Sequence, residues 1–149
     1  MRAKKADEET REPSFLGLVG SDPLTVVIRG HIFIESRLAN LIESKLVEPG
    51  AIDVGRLNFH NKVGLAVALG SLPIELKQSL KTLNGLRNRL AHNVHAQITR
   101  ADAERLFKSL PKTMREVMGP KDHTLLDCIA FLYGRLQGLG DRRTKEGNL

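Results

Sequence analysis

Apolar residues recur along this chain at helical rather than strand spacing. In the first long run Ile34, Leu38, Leu41 and Ile42 fall at i, i+4, i+7 and i+8, which is one buried helix stripe. Pro23, preceded by Asp22 or Ser21 as cap, opens this helix, and the breaker Glu48-Pro49-Gly50 closes it near Val47. The segment FHNKVGLAVALG predicts a second helix, with Asn58 as cap and Gly70 as a left-handed stop. Its apolar face is Phe59, Val63, Ala66 and Val67. A third helix begins at SLPIEL, with Ser71 as cap and Pro73 in the first turn, where the missing amide costs little. Leu76, Leu80, Leu83 and Leu90 form its stripe, and Arg87 occupies the slot before Leu90.

The fourth helix starts at Thr99-Arg100-Ala101-Asp102, a capping box with Asp in place of Glu. It continues through Leu106, Phe107 and Leu110 until Pro111 kinks or ends it. A fifth runs from about Asp122 to Leu136, carrying Leu125, Ile129, Tyr133 and Leu136. No period-2 run longer than a few residues and no Asn-Gly hairpin signal between apolar stretches interrupts the series. The expected fold is an all-α compact bundle of about five helices.

With 149 residues, the chain has the length of one ordinary domain. Residues 1–13 balance four basic against four acidic side chains and offer little to bury, so residues 1–20 are expected to be a weakly ordered arm. The domain proper is placed at 21–138 and a flexible tail at 139–149. Hydrophobic residues make up 41% of the chain and Trp is absent, so the core must be built from Leu, Ile, Val and Ala. No window approaches 18 uninterrupted apolar residues, and MRAKKADEETREP lacks the apolar stretch of a secretory signal. The single Cys128 lies in the apolar run LLDCIAFL and has no second cysteine to pair with. These features predict a soluble, cytoplasmic chain with no membrane association.

Charge changes the picture in one region. The net charge is +6, and from Leu76 to Ala101 there is no acidic residue, while Lys77, Lys81, Arg87, Arg89, Arg100, His92 and His95 all fall there. That distribution suits either a solvated basic face or contact with a polyanion. Within it, LRNRLAHN places Arg87 on the apolar stripe, where a buried guanidinium is costly unless paired. Arg87 can snorkel to water, meet a carboxylate such as Glu35, or line a cleft or subunit interface that receives an anion. His92 lies about 140° around a continuous helix from Arg87, whereas Asn88, four residues before His92, shares its face. Arg87 and His92 meet if Asn93 acts as a left-handed stop that unwinds the last turn, or if they come from two chains about a two-fold axis.

RNRLAH resembles the R-x-x-x-x-H motif of the HEPN superfamily, in which a polar residue follows the Arg at the end of the third helix of a small bundle. FHNKVGLAVALG and LKTLNGLRN are also similar to the helix pair of HEPN-like bacterial proteins related to the mannitol-operon repressor. The resemblance spans residues 24–118. It implies a homodimer in which Arg87, Asn88 and His92 form a composite site. Many members are metal-independent ribonucleases, including toxins and defence components with an antitoxin or regulatory protein partner. Others bind nucleotides or act as non-catalytic regulatory modules. Val94 stands where one toxin branch carries Tyr, so nucleotidylylation at that position is excluded.

The residue types suit RNA cleavage. RNA carries its own nucleophile in the 2′-OH, so a group that moves a proton near pH 7 and a cation that stabilises charge on phosphorus suffice. His92 fits the first role, Arg87 the second, and Asn88 can orient the imidazole or the phosphate. No cofactor or metal is called for. Glu35, Lys62, Arg89 and His95 are candidates for supporting or phosphate contacts.

Other chemistries are less well supplied. His31 and Glu35, at i and i+4, can give two metal ligands, but a third with suitable spacing is missing. His60 and Asn61 are assigned no role. No Gly-rich phosphate loop is present, and a mid-helix Cys128 is a poor nucleophile. A helix-turn-helix over residues 58–90 would leave Lys77, Gln78 and Lys81 to face DNA, a set that contacts phosphate rather than reads bases.

Overall fold

A computed structural model describes residues 14–146, with side chains described through residue 140. Among the described residues there are six α-helices and no strand: α1 Pro23–Glu43, α2 Phe59–Ala68, α3 Lys77–His92, α4 Arg100–Ser109, α5 Lys112–Met118 and α6 Leu125–Glu146. The all-α bundle expected from the hydrophobic periodicity is the observed one.

The starts of three helices follow local chemistry closely. Asp22 caps α1, its carboxylate accepting from the Thr25 amide at 3.0 Å. Asn58 caps α2 by accepting from the Asn61 amide at 2.8 Å. Thr99 and Asp102 form the reciprocal capping box of α4. Gly70 takes a φ of 73° after α2, the left-handed conformation that only glycine adopts without penalty.

Other boundaries move. α1 stops at Glu43, short of Val47, because the chain turns at Ser44 to Leu46 before the 3-10 turn at Pro49–Ala51. Ser71 does not cap α3; its hydroxyl donates back to the Ala66 carbonyl at 3.1 Å, and a 3-10 turn at Ile74–Leu76 precedes the α-helix. Pro111 ends α4 and its fixed φ launches α5, a short helix absent from the expected five. Part of the segment 1–20 expected to be weakly ordered packs onto the bundle. Leu18 is buried in a 3-10 turn at Phe15–Leu18, and Phe15 stacks on Tyr133 with ring centroids 4.5 Å apart. Residues 1–13 lie outside the described part, as do 147–149 of the tail; the preceding tail residues continue α6.

The core is one cluster, with Val27, Ile34, Leu38, Ile42, Leu80, Leu83, Leu106, Ile129, Leu132 and Leu136 fully buried. α1 is the central element and packs most extensively on α6, then on α2 and α3. Gly30 permits the α1–α6 approach: a Cβ there would stand 2.7 Å from Ile129 Cγ2. Residue 31, one step round the helix, therefore faces α2 and α3 instead. Cys128 is fully buried, and desolvation pushes its thiol up to about 12, which keeps it protonated. No described helix is long and apolar enough to cross a membrane.

Candidate functional site

On α3 the seam does not pass through Arg87. Leu76, Leu80 and Leu83 are buried as expected, but the stripe then steps to Leu86, 8% exposed, and on to the half-buried Leu90. After Leu83 a buried position can fall at +3 or +4, and here the leucine at +3 takes it. Arg87 is left on the edge of the core, half-buried.

That edge is a polar cleft of about 350 Å³, lined by His31 and Glu35 of α1, Asn58, Phe59 and His60 at the start of α2, and Asn84, Arg87 and Asn88 of α3. Arg87 Nη1 donates to Asn88 Oδ1 at 3.3 Å, and among the described residues Arg87 forms no ion pair with a carboxylate. Glu35 faces the same cleft but is held by Lys62, whose Nζ donates to Oε1 at 2.6 Å. Lys62 is only 4% exposed, so this carboxylate compensates a buried ammonium that would otherwise be costly. Of the carboxylate partners open to it, Arg87 takes none.

His31 is 3% exposed and stacks on Phe59 with centroids 4.2 Å apart. Its Nε2 donates to Asn84 Oδ1 at 3.0 Å, and its Nδ1 lies 3.6 Å from Glu35 Oε2. Burial pushes His31 below the ordinary imidazole value; the Asn84 bond and the Glu35 charge oppose this, while the charges of Arg87 and Lys62 add to it. The net effect of burial is to favour the neutral ring.

The expected site residues separate into three groups. Arg87, Asn88 and Glu35 come together in the cleft. Lys62 stands behind it as the buried counter-ion of Glu35 rather than as a phosphate contact. Arg89, His92 and His95 lie elsewhere. Arg89 points to α4, where Nη2 bonds Asp102 Oδ2 at 2.8 Å, and so has a structural partner outside the cleft. Asp102 is 2% exposed at its side chain and also meets the Thr99 amide at 2.8 Å and Arg105 at 3.2 Å. Burial pushes the Asp102 carboxyl up, but the bonds from Arg89 and Thr99 and the charges of Arg89 and Arg105 outweigh it, and it sits below its ordinary value.

His92 is exposed at the last residue of α3, and His95 is exposed in the loop that follows, its amide donating to Asn93 Oδ1 at 3.0 Å. Asn93 is not a left-handed stop: its φ is −130°, and no described non-glycine residue has a positive φ. α3 is therefore helical through His92, and the unwinding that would swing His92 toward Arg87 within one chain does not occur. Asn88 bonds Arg87 and lies one turn before His92 on its face of α3.

The cleft also contains His31, Asn84 and His60, which no motif in the sequence marks as members of one site. The signal available was a polar stripe, Asn84, Arg87 and Asn88 at i, i+3 and i+4, beside the leucine seam. Among the described residues no group of three or more His, Cys, Asp or Glu could hold a metal ion. No protein-family model, curated protein or solved structure matches the chain.

Proposed function

We propose that this chain is a HEPN-like, metal-independent endoribonuclease that works as a homodimer. The observation that carries the reading is the half-buried Arg87, open in a polar cleft and, among the described residues, without a carboxylate partner, while Glu35, the carboxylate that lines that cleft, is paired with Lys62. A guanidinium so placed suits a phosphodiester, to which its planar fork can donate two bonds. The resemblance of RNRLAH to the R-x-x-x-x-H motif supplies the rest: the homodimer, the class of reaction and the role of a toxin or defence component with an antitoxin or regulatory partner.

In this reaction the 2′-oxygen forms a bond to phosphorus as the bond to the 5′-oxygen breaks. The 2′-OH proton passes to an imidazole, and the leaving 5′-oxygen takes up a proton from the imidazolium so formed or from water, giving a 2′,3′-cyclic phosphate and a 5′-hydroxyl. Arg87 stabilises the charge that builds on the phosphoryl oxygens, and Asn88 orients the phosphate. The imidazole is that of His92, contributed across a two-fold axis by a second copy, because in one continuous helix His92 points about 140° away from Arg87.

A second reading is a non-catalytic regulatory or interaction module of the same fold. The exposed position of His92, outside the cleft, favours it. A labelled single-stranded RNA incubated in excess EDTA with the native protein, Arg87→Ala and His92→Ala separates the two. Cleavage by the native chain alone supports the nuclease. Three equally folded and equally inert proteins support the module.

A further inference from the structure

The polar groups that α3 turns into the cleft are each oriented by a neighbour. Asn84 accepts the His31 Nε2–H at Oδ1, which directs its Nδ2 amide away from the ring. That amide meets no acceptor among the described residues, and since no buried side-chain nitrogen or oxygen there lacks a partner, it is open to solvent. Asn88 accepts Arg87 Nη1 at Oδ1, which leaves its own Nδ2 in the same state. On the α2 side the Asn58 oxygen is spent on the Asn61 amide. Glu35 is spent on Lys62. What the Asn84–Arg87–Asn88 edge offers a ligand is thus N–H donors, a set complementary to an oxyanion.

We infer that His31 is a positioning residue for an oxyanion cradle: its bond to Asn84 Oδ1 holds the Asn84 amide toward the cleft, where with Arg87 and Asn88 it binds the non-bridging oxygens of a phosphodiester. This rests on reading the Arg87 cleft as the RNA site. His31 is too buried to touch the substrate and acts through Asn84. Its ring is fixed from two sides, by the Phe59 face at 4.2 Å and by Asn84 itself at 3.0 Å. Were the ring absent, the amide would be free to rotate and present its oxygen, a second acceptor, to an anion.

The test uses the full chain and a fluorescein-labelled oligoribonucleotide with 2′-O-methyl groups throughout, which has no 2′-OH nucleophile and so reports binding alone. Fluorescence anisotropy at low salt is expected to give about tenfold weaker binding for Asn84→Ala and for His31→Leu, the size of one lost bond to a charged group. His31→Gln, whose amide can still donate to Asn84 Oδ1, stays within about threefold of the native chain. The double variant His31→Leu/Asn84→Ala binds as Asn84→Ala does, because His31 acts only through that amide. A merely structural role for His31 predicts the opposite, with the two losses multiplying and Gln failing as Leu does. Native binding by Asn84→Ala overturns the cradle, as does a native chain that does not bind the probe or an Arg87→Ala variant that binds it undiminished. Asn84→Ala keeps the test decisive if His31→Leu does not fold. Binding that follows the expected pattern in a chain that cuts no RNA leaves the cradle standing and removes the nuclease. RNA cleavage by a chain in which Asn84→Ala and His31→Leu bind normally does the reverse.

Discussion

Arg87 and Arg89 stand two residues apart on α3 and have opposite surroundings. Arg89 reaches α4 and closes on Asp102, a carboxylate 2% exposed that also accepts from Thr99 and Arg105. Arg87 turns the other way, bonds only Asn88 among the described residues, and faces a cleft whose carboxylate already belongs to Lys62. The first arginine is consumed by the fold, tying α3 to the capping box of α4. The second contributes little to holding helices together and keeps its charge available. A basic run in a sequence is therefore not one feature: its members divide according to whether a buried acid lies within reach.

That division can be broken most severely at Asp102. Asp102→Ala leaves two arginines and the Thr99 amide without their acceptor, and the expected loss is about 3 kcal/mol of unfolding free energy, measured by urea denaturation. RNA cleavage per folded molecule should be unchanged. Arg87→Ala is the mirror image. It should lower the cleavage rate about 100-fold, the effect of removing one stabiliser of transition-state charge, while unfolding free energy moves by less than about 0.5 kcal/mol. If both variants lose stability alike, the contrast between the two arginines is wrong.

A smaller effect is expected at Glu35. Glu35→Gln leaves the buried Lys62 ammonium facing a neutral amide, and since the Glu35 side chain is 32% exposed and water can relieve part of the cost, the loss should be about 1–2 kcal/mol. A matching melt of Lys62→Met/Glu35→Gln should recover most of it.

The gentlest probe is pH. His31 is depressed in the fold from 6.5, so between that value and its folded pKa the unfolded chain binds more protons than the native one. Its contribution is fully present above pH 6.5 and is lost as the pH falls, with a slope of at most about 1.4 kcal/mol per pH unit. His31→Gln should lack this slope in denaturation curves taken from pH 7.5 to 5. Asp102, also depressed, acts in a lower window: its contribution is lost only below 3.8, as the pH falls through its folded value.

Local chemistry along the chain was enough to place most of the helices. The stripe of Ile34, Leu38, Leu41 and Ile42, the caps at Asp22, Asn58 and Thr99, and the left-handed Gly70 each depend on residues within a turn of one another, and each appears where the pattern puts it. Of the two alternatives at the end of α3, the left-handed Asn93 is not the one adopted, because asparagine tolerates both left-handed and extended backbone and the choice is not made locally. The helix over Lys112–Met118 has no signature in the pattern, because seven residues after a proline carry too little periodicity to distinguish helix from loop.

The candidate site was legible only in part, for a physical reason. Arg87 and Asn88 are neighbours in the chain, so a motif can contain them both. His31 lies 53 residues from Asn84, and Lys62 lies 27 from Glu35, and these bonds exist only because α1, α2 and α3 pack together around the leucine seam. The amino-acid order by itself determined an all-helical bundle with a basic third helix. Which cations stay open and which are neutralised was decided by tertiary packing, since burial and counter-charge are properties of helices brought together and not of any one segment.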